Sequence, residues 1–561
     1  MSKVMRVISL LCVISLVISA MGGCISKGPE ELPPSSSSST PVESAPEANG
    51  DSPESSGGSG VIDPLGKYDP PIVVTSVRSV NDENVFPEGD DIENNVYTRM
   101  LYDELGITVK YDWVVDSTQW NTKIATMLAS DSIPDFFRPR SADFMNLAQE
   151  DAIMDLTELY PTWASDLVKT HDSNFMEGYE SGFVNGKHYG IADLGWGTIS
   201  LPNILWIRQD WLEESGMELP ATMEELEALA LKFMEQHPGS YGIALDKTLT
   251  GGINTITGIT NAYHAYPKIW IEKDGKLEYG SVQPEMKESL GYLQTLYQRG
   301  IFDKEFAVKD TNKVIEDITN GKVGITYGSN NIGFWGTYNL VKTNPDAAFL
   351  PHDIPAKDDQ PLYLQGTFPV GQYIVINKNM EQPEAVIKMI NLFCERFADG
   401  RFNEPEYKET VMWSYPPAVQ TDPTNEYSAY VNISEALTSG DESKLPPQQM
   451  PFYTAAKKWQ DEKDSITDTT AYGRYVQMGP GGAYAVLSKY VDDDRILLDR
   501  KAGATPENYA KISETLIKTE DDAFTKIIMG ESLDEFDVFV ENWMKLGGEA
   551  ATQEVNDTFN K

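Results

Sequence analysis

The sequence predicts an α/β fold in two or more domains, and three observations lead to this expectation. From Asp69 onward, short β-branched segments alternate with amphipathic segments, which is typical of parallel sheets covered by helices on both faces. The roughly 500 residues of this region exceed what one hydrophobic core supports. Only one cysteine, Cys394, lies in this region, so the fold must stand without an internal disulfide.

The first elements of this body follow regular patterns. Residues 72–77 form a β-branched run after two prolines, which predicts a strand. Apolar residues at helical spacing predict a helix over 94–105, and the alternation over 107–113 predicts a second strand. A helix over 120–130 and a strand over 135–137 follow.

Later strands are expected at 204–207, 241–245, 323–327 and 373–377, where apolar and β-branched residues cluster. Thr222, followed by two glutamates, predicts the capped start of a helix because its hydroxyl can accept from the first free N–H groups.

Other local signals concern packing and turns. Asn320 and Gly321 predict the turn that leads into strand 323–327, since both residue types readily take the left-handed conformation. Trp211 and Cys394 are expected in the core. The glycine-rich segment 478–482 lacks the Lys-Ser/Thr of a phosphate loop and predicts a turn.

The N-terminus has the layout of a secretory signal. Lys3 and Arg6 precede an apolar run over 7–20, which is too short for a comfortable membrane span. Two glycines then lead to Cys24, and this resembles the lipobox of bacterial lipoproteins, although Met21 stands where leucine is usual. The resemblance implies that residues 1–23 are removed and that Cys24 is acylated, for example with palmitate. The alternative is an ordinary signal peptide with a coincidental cysteine.

Residues 24–68 are predicted to be a tether. The segment is rich in Ser, Pro, Glu and Gly, a composition that buries too little apolar surface to offset the entropy of ordering. A flexible chain of this length spans about 30 Å on average. Signal, acylated cysteine and tether together predict a protein held at the outer face of the cytoplasmic membrane.

Charge and composition exclude several classes of function. A formal net charge of −41 argues against nucleic-acid binding, because a polyanion would be repelled. The five histidines show no metal-ligand spacing, and no P-loop or nucleophile elbow is present. The acidic run 492–494 is expected to be a solvated face, with a weak cation site as the alternative.

Four stretches resemble the sugar-type extracellular solute-binding proteins of bacterial ABC importers, in their long lipoprotein form. They are residues 120–135 (WNTKIATMLASDSIPD), residues 186–226 with GKHYGIA and IRQDWL, residues 293–328 with NGKVGITYG, and residues 505–548. The stretches occur in family order over nearly the whole body. Many relatives carry a calcium-type loop that is missing at residues 235–242, so no metal or cofactor is expected.

The resemblance implies a type II periplasmic-binding-protein fold, in which two α/β lobes surround a central cleft and close by hinge motion. The expected segments are 69–192 and 372–413 for the first lobe, 200–362 and 417–561 for the second lobe, and 193–199 and 363–371 for the hinge crossings.

The implied function is capture of an oligosaccharide or related carbohydrate without catalysis, by a monomer that delivers it to ABC permease subunits in the same membrane. Two alternatives stay open: a surface-tethered polysaccharide hydrolase or lyase, and a binding protein for another solute such as a peptide.

Candidate ligand contacts are polar residues at expected strand ends, where clefts of α/β proteins form, and aromatic residues that could stack on a sugar. Surface charge is the alternative for the arginines, and core packing for the aromatic residues. The family resemblance also places an aromatic at Trp335. The candidates are Arg138, Arg140, Asp193, Trp196, Asp246, Trp270, Asn330, Asn331, Trp335, Trp413 and Tyr415.

Overall fold

The computed structural model describes residues 62–80, 86–195, 197–200, 202–251, 253–407, 415–462, 469–501 and 507–559. Residues Val61–Lys561 form one compact unit. The predicted signal, Cys24, Trp196 and Trp413 lie outside the described residues. Among the described helices, none combines the length and hydropathy needed to cross a membrane.

The first elements confirm the predicted order of strands and helices. Strands β1 and β2 pair in parallel, with Ile72 opposite Ile107. Helical spacing predicted that Ile124, Met127 and Leu128 face inward; Ile124 and Met127 are buried together with Trp120, and Leu128 is partly buried. The elements are β1 (Ile72–Val80), α1 (Val96–Leu105), β2 (Ile107–Asp116), α2 (Trp120–Ala129), β3 (Phe136–Phe137), α3 (Ser141–Gln149), α4 (Leu159–Trp163), α5 (Asp166–Asn174), α6 (Met176–Glu180), β4 (Phe183–Val184), β5 (Lys187–His188) and β6 (Ile191–Ala192).

The next elements build the second sheet region and its covering helices. They are β7 (Ile204–Arg208), α7 (Gln209–Ser215), α8 (Met223–Gln236), β8 (Tyr241–Ile243), α9 (Thr257–Ala262), β9 (Trp270–Lys273), β10 (Lys276–Tyr279), α10 (Pro284–Gln298), α11 (Thr311–Thr319), β11 (Val323–Gly328), α12 (Ile332–Trp335), α13 (Tyr338–Thr343), β12 (Phe349–His352) and β13 (Leu364–Gly366).

The C-terminal part returns once to the first sheet region and is then mainly helical. It consists of β14 (Tyr373–Ile376), α14 (Glu384–Ala398), α15 (Asn425–Ser439), α16 (Met450–Glu462), α17 (Thr469–Met478), α18 (Ala483–Asp492), β15 (Ile496–Leu498), α19 (Glu507–Ile528), α20 (Glu535–Trp543) and α21 (Glu549–Phe559). Glycine-rich 478–482 is the turn between α17 and α18, as predicted.

The sheets are mixed rather than purely parallel, which corrects the expectation from strand–helix alternation. One sheet has the order β3-β14-β6 and is antiparallel throughout. The other has the order β12-β7-β11-β8, where only β11 and β8 are parallel. The physical reason is the path of the chain: β6 carries it out of the first region and β14 carries it back, so the two strands run in opposite directions.

The hydrophobic core is divided into three clusters, and different segments of the chain contribute to them. A large core draws on residues 199–364 and 429–555. Two smaller cores draw on residues 74–194 and 370–419. The molecule therefore has two α/β lobes with separate interiors, the first around the smaller cores and the second around the large core.

The first lobe begins before residue 69, within the segment predicted as tether. Leu65 and Tyr68 pack against the first-lobe core, and the Tyr68 hydroxyl donates to Glu384 at 2.8 Å. Lys388 Nζ donates to the Gly66 carbonyl at 2.7 Å. These few apolar and aromatic side chains are enough to order a segment whose N-terminal neighbours are almost entirely polar.

Several local predictions are confirmed. Thr222 caps α8 through a reciprocal pair of hydrogen bonds with Glu225. Gly321 has a φ of 70°, the left-handed conformation that the turn before β11 requires. Trp211 is buried at 3 % exposure, and Cys394 is a buried free cysteine.

Candidate functional site

Within the residues that the structure describes, the chain passes between the lobes three times. Crossing one (193–199) connects Leu194 of a first-lobe core to Ile199 of the second-lobe core. Crossing two (367–371) follows β13, and crossing three (420–424) lies between Val419 and α15. Residues 364–366, predicted as part of the crossing 363–371, instead form β13 in the second lobe, where β15 supplies a parallel partner strand.

The three crossings contact one another closely. The Thr421 hydroxyl of crossing three donates to the Gly195 carbonyl of crossing one at 2.5 Å. Gly197 has a φ of 75°, and a Cβ there would lie 1.7 Å from the Pro423 carbonyl oxygen. Only glycine therefore fits at position 197, and the flexible joint between the lobes is also a tightly packed one.

A cavity of about 320 Å³ opens at this joint. It is bordered by residues from all three crossings and from the first lobe. The lining residues are Arg138, Asp193, Gly195, Pro369, Gly371, Gln372, Val419 and Thr421.

The charged residues of this cavity form an ion pair. Arg138 follows β3, and its Nη2 group donates to Oδ2 of Asp193 at the start of crossing one. The Asp193 N–H in turn donates to the Gln372 carbonyl at 3.1 Å, which fixes the carboxylate against β14. Arg138 Nε is buried and makes no hydrogen bond with a described residue.

Arg140 does not line the cavity. It is exposed, and its backbone forms an isolated bridge with Gln372. Both arginines follow β3, but only Arg138 lines the cavity, whereas Arg140 is exposed to solvent.

Asn330 and Asn331 follow β11 on the second-lobe side. The Asn330 amide donates to the Ser200 carbonyl at 3.0 Å, next to crossing one. The Gln477 amide donates to Oδ1 of Asn330 at 2.7 Å and to Oδ1 of Asn331 at 3.1 Å. These bonds tie the carboxyl end of β11 to the joint, and they use both the amide group and the side-chain oxygen of Asn330 within the protein.

Trp335 ends the short helix α12 that follows these asparagines. Its side chain is 63 % exposed, an unusual state for a tryptophan. The preceding Phe334 ring is covered by Gly473 and by the Arg474 guanidinium at 5.0 Å. Phe334 therefore anchors the helix, and Trp335 is left open to solvent or to a ligand.

Asp246 is fully buried after β8 and shapes the loop there. Its Oδ1 accepts from the Thr248 N–H at 2.9 Å, and its Oδ2 accepts from the Thr311 hydroxyl at 2.8 Å. Both carboxylate oxygens are therefore used within the protein. The same loop borders a second cavity of about 870 Å³, which also reaches Thr367 of crossing two.

Trp270 and Tyr415 are placed in the cores. Trp270 is 0 % exposed and packs against the rings of Tyr279 and Tyr509, with centroids 5.3 and 5.7 Å away. Tyr415 is also fully buried and stacks on Phe86 at 4.5 Å. Neither side chain is among the lining residues of the cavities of about 320 and 870 Å³.

A buried polar cluster that the sequence did not indicate anchors crossing three to the first lobe. Asp172 of α5 accepts from the Tyr160 hydroxyl and from the Gln420 amide, each at 2.8 Å. Burial raises the pKa of Asp172 to about 6. Gln420, Gln372 and Thr421 could have been suspected only from their nearness to expected crossings, because their residue types carry no distinctive signal.

No metal centre is found in the described part of the chain, where no three His, Cys, Asp or Glu side chains are grouped as ligands. The acidic residues 492–494 are exposed at the end of α18, as expected of a solvated face. The site therefore consists of an ion pair, backbone groups and neutral polar side chains.

Two α/β lobes joined by three crossings, with a cavity at the joint, form an arrangement in which a ligand can bind between lobes. Residues 88–393 match the sequence model of the family described as bacterial extracellular solute-binding protein. This match covers more than half of the chain, and the chain belongs to this family, which is one of binding proteins and not of enzymes.

Curated relatives are distant and matched in part. Lipoprotein LipO of Bacillus subtilis is 25 % identical over 39 % of this chain and 44 % of its own length. The polygalacturonan/rhamnogalacturonan-binding protein YtcQ of the same species is 23 % identical over 67 % of this chain and 71 % of its own. The fructooligosaccharide ABC transporter substrate-binding protein FusA of Streptococcus pneumoniae is 24 % identical, over 46 % and 50 %. The chain thus spans about half the length of LipO and of FusA.

Solved structures share the fold. The alginate-binding protein AlgQ2 without calcium has a TM-score of 0.58 and 15 % identity, covering 89 % of this chain and 99 % of its own. An extracellular solute-binding protein from Bifidobacterium longum subsp. infantis has a TM-score of 0.60 and 16 % identity, covering 88 % and 99 %. These likenesses confirm the predicted two-lobed α/β fold.

Proposed function

We propose that the chain is a lipid-anchored extracellular protein that captures an oligosaccharide and delivers it to an ABC importer. The single observation that carries the proposal is the cavity at the junction of three crossings, which contains the ion pair of Arg138 and Asp193, in a chain of this binding-protein family. The names of the relatives YtcQ and FusA refer to carbohydrates, which favours a carbohydrate over a peptide here.

Capture follows from the geometry of the joint. Rotation about the crossings would bring the second-lobe edge, with Trp335, toward Arg138 and Asp193 in the first lobe. A guanidinium and a carboxylate suit the donor and acceptor faces of sugar hydroxyls, and an exposed indole suits the C–H face of a pyranose. The site requires no reacting group for this role.

The anchor is proposed from the N-terminal sequence. Acylation of Cys24 after removal of residues 1–23 would hold the body near a permease in the same membrane. The similarity to a protein named as a lipoprotein supports this part of the proposal. The permease supplies the membrane passage, and the binding protein acts as a monomer.

A thermal-shift screen tests the proposal. A ligand that binds only the native state raises the unfolding midpoint, so an oligosaccharide should raise it and peptides should not. Selective stabilisation by a peptide would contradict the carbohydrate assignment. Release of reducing ends from the same oligosaccharides would support a degrading enzyme and contradict the absence of catalysis.

A further inference from the structure

The second cavity, of about 870 Å³, has an unusual charge for this protein. It lies between the loop after β8, the second crossing and helix α19. Its charged lining residues are Lys247, Lys268, Lys526, Asp521 and Asp522. Three lysines and two aspartates leave one positive charge in excess, although the whole chain has a formal net charge of −41.

The two carboxylates of this cavity are already neutralised. Asp521 pairs with Lys268 at 2.6 Å, and Asp522 pairs with Lys518 of the same helix at 2.7 Å. Lys247 and Lys526 form no ion pair within the described residues. Two cations thus face the cavity region without a carboxylate partner, in a chain where acidic residues outnumber basic ones by 86 to 45.

A third cavity shows the opposite pattern and serves as a comparison. This cavity of about 660 Å³ near α7 is lined by Asp210, Glu213, Glu214 and Asp346, and by no lysine or arginine. The general acidity of the chain therefore does extend to its cavities. The excess of lysines beside crossing two is a local feature.

The position of the lysines connects them to the proposed ligand site. The Asn254 N–H donates to the Tyr327 carbonyl at 2.8 Å, so the loop after β8 lies against the carboxyl end of β11. Thr367 lines the lysine cavity, and Pro369 and Gly371, farther along the same crossing, line the cavity of Arg138. Both cavities therefore border the joint between the lobes.

We infer that the lysine cavity accepts the carboxylate groups of an acidic oligosaccharide, so that the ligand is a uronate-containing sugar chain. The inference rests on the proposed function and narrows its ligand class. Arg138, already paired with Asp193, serves hydroxyl groups, whereas Lys247 and Lys526 supply the unpaired positive charge. Ammonium groups are strongly hydrated point charges that tolerate carboxylates in several positions, which suits the repeated carboxylates of such a chain.

Calorimetric titration of the full chain in detergent tests this inference. The probes are trigalacturonate and trimannuronate, each compared with its methyl ester, which keeps the sugar skeleton and removes the charge. At least one acid trimer should bind tenfold or more tightly than its ester. Its affinity should fall with rising ionic strength, because charge pairs at an open site are screened.

The double variant Lys247→Gln with Lys526→Gln should lose at least tenfold in affinity for the acid trimer and little for the ester. The double variant Lys273→Gln with Lys276→Gln removes the same two charges from exposed positions of the second lobe that do not line the cavity, and it should bind as the parent does. Unfolding midpoints near that of the parent would show that both proteins fold.

Equal binding of acid and ester, or an unchanged double variant, would overturn the inference and leave carbohydrate capture standing. Binding of neutral oligosaccharides without any binding of the acid trimers would do the same. Failure of every carbohydrate in the thermal-shift screen would instead overturn the proposed function and this inference together.

Discussion

Truncation of Trp335 tests whether its side chain stacks on a ligand or packs in the hydrophobic core. The side chain is 63 % exposed, so about one third of it is buried. Truncating a fully buried tryptophan costs about 3–5 kcal/mol, and one third of that value is about 1–2 kcal/mol. Trp335→Ala should therefore lower the free energy of unfolding only slightly. If Trp335 stacks on a sugar, the same change should weaken binding by about 1–3 kcal/mol, which is about tenfold or more.

Two measurements check this prediction. Calorimetric unfolding gives the stability of the ligand-free variant, and titration with an oligosaccharide from the thermal-shift screen gives its affinity. Trp270→Ala is the control for a core tryptophan, because Trp270 is 0 % exposed and its loss should cost about 3–5 kcal/mol. Trp335→Phe keeps an aromatic face and should restore part of the affinity.

Two results would refute the reasoning. If Trp335→Ala is destabilised as strongly as Trp270→Ala, the residue belongs to the core despite its exposure. If the variant is stable and binds its ligand as the parent does, Trp335 has no part in the site.

Three further predictions concern the cavity, pH and the anchor. Arg138→Gln should weaken ligand binding about tenfold in titration, whereas Arg140→Gln, outside the cavity, should change it little; equal effects would contradict the geometry. Burial raises the pKa of Glu520 from 4.5 to about 7. The native protein therefore binds this proton more tightly than the unfolded chain does, so the stabilisation is fully present below about pH 4.5 and is lost as pH rises through 7. Glu520→Gln should therefore gain stability relative to the parent between about pH 5 and 8 in thermal unfolding, and a constant difference would refute this. Cys24→Ser should move the protein from the membrane fraction to the medium in immunoblots, and retention would exclude lipidation as its anchor.

The patterns that the sequence predicted well depend on neighbours along the chain. β1, α1, β2 and α2 follow from local spacing of apolar residues, and the cap at Thr222 and the turn at Gly321 follow from the chemistry of single residues. The burial of Trp211 and Cys394 was predicted for the same reason, since each lies on an apolar face.

The pairing of strands could not be predicted in this way. β14 completes the first-lobe sheet only after the chain has built most of the second lobe, and β15 pairs with β13 across more than a hundred residues. The direction of such strands depends on the path between the lobes. The alternation of strand and helix patterns does not indicate that path. The expectation of parallel sheets was therefore wrong at β14, where the chain returns to the first lobe.

Local sequence patterns also predicted only part of the candidate site. Polar residues at strand ends pointed to Arg138 and Asp193, and the structure brings the two together in one cavity. Similar reasoning selected Asp246, whose oxygens are used inside the protein, and Trp270, which lies in the core. The residue types and the family resemblance were determined by the sequence alone. Which polar groups keep an unused donor or an exposed face was decided only by the tertiary structure, because hydrogen bonding and burial depend on partners that are distant in the chain.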